Sequence, residues 1–178
     1  MDLIEIATSR LRLRAIAASD YTAILSYMSD PRVTAFLPQG TLDEEASRAF
    51  ALKHSSNKGE AVAVVEKASG QMIGHMPFHP WFGHATHEIG WVISSGHQGR
   101  GYATEAARAL MDFAFNKLRC HRVVATCQPE NAASWRVMER LGMRREAHFR
   151  QALHQKNGMW WDEYFYALLA DEYRQAIS

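Results

Sequence analysis

The stretch Thr86–Phe115, THEIGWVISSGHQGRGYATEAARALMDFAF, decides the fold, because it reads as a strand, a glycine-bearing turn and a helix in immediate succession. Ile89, Trp91 and Ile93 alternate with Glu88, Gly90 and Val92, the period of two expected of a strand. After the turn, Ala106, Ala107, Leu110, Met111, Ala114 and Leu118 recur at three- and four-residue spacing. That spacing predicts a helix from Ala103 with a stripe of small and medium side chains against a sheet. Between them lies Gln98-Gly99-Arg100-Gly101-Tyr102-Ala103. Its glycines let successive amides point to one place, and a helix N-terminus adds roughly half a positive charge. The turn can hold an anion such as a diphosphate, although a tight strand-to-helix connection without a ligand uses the same glycines. Two known nucleotide motifs fail here. Thr104 stands where a dinucleotide fingerprint wants glycine or alanine, and no Gly-Lys-Ser/Thr follows.

The 178 residues suffice for one sizeable core and are short for two, so a single domain over 1–178 is expected. A net charge of +1 gives no field for nucleic acid or an anionic membrane surface, and neither is expected as a partner. MDLIEIATSRLRLR has an acid at Asp2 and no apolar run before its arginines, unlike a signal or transit peptide. No apolar run approaches the roughly 20 residues of a membrane span. A soluble, cytoplasmic protein is expected. Cys120 and Cys127 are too few for a disulfide framework and read as reduced, buried thiols.

In chain order, Arg10–Ala15 alternates like an edge strand, and Ser19 or Asp20 can cap a helix running to about Ser29, where Pro31 stops it. Thr41-Leu42-Asp43-Glu44 reads as a capping box opening a helix through Phe50 towards Ser56. Residues 61–66, 72–78 and 86–93 form an antiparallel meander. After the crossover helix come a strand at 122–127 and a helix capped by Asn131 and ended by Gly142. A hairpin of 143–152 and 160–169 around Lys156-Asn157-Gly158 follows, then a short helix. This is an α/β chain with a mixed sheet.

Two further constellations carry a family resemblance. Pro129-Glu130-Asn131-Ala132-Ala133-Ser134 and Met138-Glu139-Arg140-Leu141-Gly142-Met143 resemble the N-x-x-S helix and E-K-x-G-F ending of the GNAT acyltransferases, while Gln98, Gly101 and Ala103 match their Q-x-x-G-x-A loop. SRLRLR at 9–14, Ile73-Gly74, Glu88-Ile89-Gly90, GYATEA at 101–106 and DEYFYALL at 162–169 resemble the RimJ/RimL ribosomal-protein N-terminal acetyltransferase branch. The resemblance spans nearly the whole chain.

It implies a mostly antiparallel twisted sheet, flanked by helices and splayed at two parallel strands, with acetyl-CoA in the splay. Backbone of Trp91, Val92 and Ile93 would meet the pantetheine, the amides of Gln98, Gly99, Arg100, Gly101, Tyr102, Ala103 and Thr104 the diphosphate, and Asn131 the pantetheine arm. The implied reaction is direct attack of a primary amine on the thioester, with a protein N-terminus the leading acceptor and an antibiotic, polyamine or metabolite amine the alternative. Glu146, in R-R-E-A, is expected as the base ahead of Glu88. The usual acid tyrosine is replaced by Met138, which has no exchangeable proton, so Ser134 is expected near the sulfur. That departure leaves open a non-catalytic acyl-CoA-binding module. No metal is expected: His75, His79, His84 and His87 are divided by Pro77 and Pro80 and lack a zinc spacing. Trp81, Phe82, Trp160, Trp161 and Tyr164 read as core or dimer contacts, with Trp81-Phe82 able to wall a substrate. Monomer and homodimer both remain open.

Overall fold

A computed structural model describes residues 5–55, 59–155 and 158–177. Ser56, Lys156 and Asn157, invoked above for a helix end and a hairpin turn, lie outside the described residues. The strands are β1 (Ile6–Ala7), β2 (Leu11–Ala15), β3 (Ala61–Glu66), β4 (Met72–Pro80), β5 (Thr86–Ile89), β6 (Val92–Ile93), β7 (Arg122–Cys127), β8 (Arg144–His154) and β9 (Trp160–Leu169). The helices are α1 (Tyr21–Met28), α2 (Pro31–Thr34), α3 (Glu44–His54), α4 (Tyr102–Asn116), α5 (Ala132–Arg140) and α6 (Ala170–Ile177).

The sheet runs β1-β2-β3-β4-β5-β7-β9-β8, with β6 also on β4. Every pairing is antiparallel except β5 with β7. This is the mixed α/β sheet expected. The strand at 11–15 is not an edge, because β1 pairs outside it through Ile6↔Leu13.

Both faces of the sheet are covered, which β3 shows residue by residue: Val62 and Val64 belong to a core with Leu110, Met111 and Ala114 of α4, while Ala61, Ala63 and Val65 pack with Ile24 and Met28 of α1. A strand buried on both sides reads as an unbroken apolar run, and AVAVV is one. Helices α4 and α5 thus lie on one face and α1 and α3 on the other. On the α4 side, α6 adds the stacked pair Phe115–Tyr173, 4.8 Å between ring centroids.

Local chemistry fixes the helix starts, with two differences from the sequence reading. Pro31 ends α1 and also opens α2, since its preset φ suits a first helical position and Asp30 caps it by accepting from the Arg32 amide at 2.9 Å. In α3 the cap is Asp43, accepting from the Ala46 amide at 2.8 Å, rather than Thr41.

Candidate active site

The site begins where two parallel strands separate. Strand β5 follows β7 through Thr86↔Arg122, His87↔Val123 and Glu88↔Val124, and there the pairing stops. Beyond Glu88 the chain keeps a single register against β4: Phe78↔Ile89, then the Gly90 amide on the Pro77 carbonyl at 2.9 Å, then His75↔Val92 and Gly74↔Ile93. The strand expected at 86–93 is therefore two ladder segments in one register, broken because Pro77 has no N–H to return. Gly74 permits the close approach, since a Cβ there would collide with the Val92 carbonyl oxygen. The polar backbone groups of Gly90, Val92 and Ser94 turn towards β4, so by antiparallel alternation those of Trp91 and Ile93 turn into the gap that β7 has left. The Ile93 carbonyl accepts from the Gln98 side chain at 2.9 Å.

At the mouth of this splay stands the N-terminus of α4. Gly99 (φ 74°) and Gly101 (φ 79°) take left-handed backbone conformations that place the turn. Gly101 is the N-cap residue and has no side chain to offer, and the amides of Tyr102, Ala103 and Thr104 find no acceptor among the described residues. Three adjacent unpaired N–H groups at the positive end of a 15-residue helix fit a diphosphate. The residues therefore suit the donor that the resemblance implies.

What fixes this helix end is a contact the sequence reading did not find. Arg10 donates to the Arg100 carbonyl at 2.9 Å, lies over the Tyr102 ring at 4.5 Å and donates to Glu105 at 2.6 Å. Glu105 also accepts from Thr8 (2.6 Å), Ser9 (3.0 Å) and the Arg10 amide (2.9 Å). Partial burial pushes the Glu105 carboxyl up, but these donors outweigh it and bring it down to about 2. The Tyr102 hydroxyl is anchored on Glu66 at 2.5 Å. SRLRLR and GYATEA, read separately as family patterns, are two halves of one clamp.

Helix α5 approaches the splay from the β7 side. Its Asn131 Oδ1 accepts from the Ser134 amide at 3.2 Å, which leaves the side-chain Nδ2 free of that cap. The Ser134 hydroxyl and the Trp135 amide face the sulfur of Cys127, whose thiol burial pushes up to about 11, so Cys127 is a poor nucleophile. Met138, at the position of the family's tyrosine, is 1% exposed and packs in the core beneath α5.

On the opposite face of the sheet, Glu88 lies at the point of divergence. Burial raises its pKa, with nearby Glu163 adding to the rise while His79 and the Thr126 hydroxyl oppose it. Thr126 donates to Glu88 Oε1 at 3.3 Å, and His79 Nε2 is 3.4 Å from Oε2. Glu163 is likewise pushed up by burial and opposed by Thr126. Phe36 and Trp161 approach each other at 6.4 Å between ring centroids, and Trp81 meets His79 at 6.3 Å. Phe82 is 91% exposed.

Glu146 is elsewhere. It is paired with Arg122 and Arg144, whose donors bring its carboxyl down against the effect of partial burial. Arg122 is two residues before Val124, about 7 Å down the strand from the divergence. The structure thus brings Glu88, Thr126, Glu163 and His79 together and leaves Glu146 out. Two of the other histidines are occupied too. His75 is buried against the Tyr27 hydroxyl at 2.8 Å, and His87 stacks on Phe78 with Cys120 Sγ at 3.2 Å from Nδ1. Among the described residues no three His, Cys, Asp or Glu side chains are placed to hold a metal ion. A cavity of about 350 Å³ has Pro129, Trp135, Glu139, Tyr164 and Tyr166 in its wall.

The fold agrees with that of known proteins this chain resembles. Residues 10–144 match the acetyltransferase (GNAT) domain. The uncharacterized N-acetyltransferase YnaD of Bacillus subtilis is 42% identical over 94% of this chain and 98% of its own length. A GNAT-family acetyltransferase structure from Bacillus anthracis superposes with a TM-score of 0.90 at 40% identity, covering 95% of this chain and 100% of that one. The spermidine N(1)-acetyltransferase of Vibrio cholerae is 26% identical over 79% of this chain and 82% of its own. The chain belongs to the GNAT family. It is an N-acetyltransferase, an enzyme class that uses acetyl-CoA as donor and an amine as acceptor, which removes the non-catalytic module from consideration. No helix among the described residues is long and apolar enough to cross a membrane.

Proposed function

We propose that this chain is a single-domain cytoplasmic enzyme of the RimJ/RimL-like branch, transferring acetyl from acetyl-CoA to a primary amine by direct attack in a ternary complex. The leading acceptor is a protein N-terminal α-amine. The donor is held by the amides of Gln98 to Thr104, by the inward-facing backbone of Trp91 and Ile93 with Val92 between them, and by Asn131 Nδ2. A row of free strand N–H and C=O groups can pair with the amide groups of a pantetheine as a neighbouring strand would.

The observation that carries the chemistry is the position of Glu88. As the amine nitrogen bonds to the thioester carbonyl carbon and the carbon–sulfur bond breaks, the amine proton passes to Glu88 and the departing thiolate accepts a hydrogen bond from the Ser134 hydroxyl. Glu88 replaces Glu146 as the assigned base, because Glu146 is spent on two arginines and lies below the divergence. A raised pKa suits Glu88 to the task, and the task is modest. An α-amine of pKa about 7.7 is roughly one-sixth neutral at pH 7, whereas a lysine amine near 10.4 needs about 4–5 kcal/mol to become neutral. The SRLRLR, GYATEA and DEYFYALL patterns support the N-terminal acceptor. A small polyamine is the second reading, favoured by the likeness to the Vibrio cholerae spermidine enzyme and by the two carboxyl groups Glu88 and Glu163 at one floor. Thiol release from acetyl-CoA, measured with N-terminal peptides and with polyamines, separates the two. Turnover confined to polyamines would overturn the leading acceptor. With the preferred acceptor, Glu88→Gln should lower kcat by about 10²- to 10⁴-fold while acetyl-CoA binding is retained. An E88Q enzyme turning over like the native one would remove Glu88 as base.

A further inference from the structure

The imidazole beside Glu88 plays no part in the mechanism above, yet its hydrogen bonding leaves it little freedom. His79 Nδ1 is 3.1 Å from the Pro80 carbonyl oxygen. A carbonyl can only accept, so Nδ1 carries a hydrogen. Nε2 is then the nitrogen left to face Glu88 Oε2 at 3.4 Å. At that separation the two atoms attract each other only when one of them carries a proton. The other Glu88 oxygen, Oε1, is met by the Thr126 hydroxyl at 3.3 Å.

We propose that His79 is the positioning residue for Glu88: with Nδ1 spent on the Pro80 carbonyl, its Nε2 faces the Glu88 carboxylate and, when it carries a proton, keeps that carboxylate ionised and fixed in orientation at the divergence of β5 and β7. The proposal rests on the reading of Glu88 as base. Around the pair, β7 contributes the Thr126 hydroxyl and β9 contributes Glu163, whose charge opposes ionisation of Glu88. From β5, His87 lies near enough to His79 to feel its charge, and Trp81 packs on the ring from the end of β4. In this set His79 is the group whose positive charge, when protonated, acts on Glu88. Burial and Glu163 both drive Glu88 towards the protonated form, in which it cannot take a proton from an amine, and His79 is the counterweight. The His79 side chain is 27% exposed, so the pair can exchange its proton with solvent.

The test is the pH dependence of kcat/KM for His79→Gln and His79→Ala. Loss of the counterweight should move the ascending limb to higher pH by about one unit, so that activity one unit below the native midpoint falls roughly tenfold while most of the loss is regained at alkaline pH. The KM for acetyl-CoA should stay within about threefold. An unmoved ascending limb, with the rate lowered equally at every pH, would overturn the proposal and assign His79 a structural role. Glu88→Gln, measured in parallel, reports on the base separately: if it is inactive while the His79 limb does not move, the base stands and the positioning role falls. A second measurement uses the native protein. Nitrogen-15 spectra of its histidines, taken where the enzyme is active, should show hydrogen on both ring nitrogens of His79, and an Nε2 without hydrogen there would sink the proposal.

Discussion

Helices α4 and α5 both point their N-termini at the same splay, and they treat their unpaired amides in opposite ways. Helix α5 satisfies its own: Asn131 accepts from the Ser134 amide at 3.2 Å. Helix α4 begins with Gly101, so the amides of Tyr102 to Thr104 stay unpaired. Capping stabilises a helix by about 1 kcal/mol. Asp30, Asp43 and Asn131 cap three helices; α1 lacks a side-chain cap as α4 does, but it continues directly from the turn at 18–20, whereas the free end of α4 stands at the splay and suits an anion. The self-sufficient end of α5 instead presents a side chain with a donor to spare.

The largest effect should come from making α4 resemble α5. In Gly101→Asp, a carboxylate takes over the free amides and repels the diphosphate; a lost charge-assisted interaction of about 1.5–3 kcal/mol predicts roughly 10- to 150-fold weaker acetyl-CoA binding by calorimetry. Unaltered affinity would mean that these amides do not hold the donor. The unliganded stability should change little, because the gain of a cap offsets the cost of a left-handed non-glycine residue.

Next in size is the clamp behind α4. Glu105→Gln should cost about 1–3 kcal/mol in urea unfolding near neutral pH, since a carboxylate serving several donors loses its charge. The Glu105 carboxyl is lowered to about 2 in the fold against about 4.3 in an unfolded chain. Its contribution is therefore complete above about pH 4.3 and is lost as the pH falls towards 2. The gap between native and variant stabilities should narrow across that window; a gap constant from about pH 6 to about pH 2.5 would show that the carboxylate charge is not its source.

The smallest effect separates the two functions of Asn131. Asn131→Asp keeps an acceptor for the cap but loses the N–H donor, so acetyl-CoA should bind about 2- to 13-fold more weakly with an unchanged melting temperature. Asn131→Ala should show that same weakening and lose about 1 kcal/mol of stability as well. If the Asp variant binds acetyl-CoA like the native chain, Asn131 is a cap and nothing more.

The contrast between the two sides of the sheet also explains what the sequence could show. The donor side was legible because strand, glycine turn and helix are contiguous from Thr86 to Phe115, and each local rule points the same way. The acceptor side was not, because Glu88, His79, Thr126 and Glu163 come from β5, β4, β7 and β9 and meet only when those strands are in register. The Arg10–Glu105 clamp joins residues 95 positions apart. Glu146 was expected as base from its place in a motif. In the fold the β8–β9 ladder is irregular between Arg145 and Ala147, and Glu146, at that irregularity, pairs with Arg122 and Arg144. Nothing in R-R-E-A announces a bulge.

Gly74 carries one more consequence. Because it lets β6 press against β4, the strand beyond Glu88 is held away from β7 by ladder bonds and close packing rather than by anything bound between them. A donor docking there as proposed need not prise two strands apart, and its binding energy would not be drained by rearranging the sheet. Kinetically, such preorganisation favours an ordered encounter in which acetyl-CoA docks without waiting for the amine.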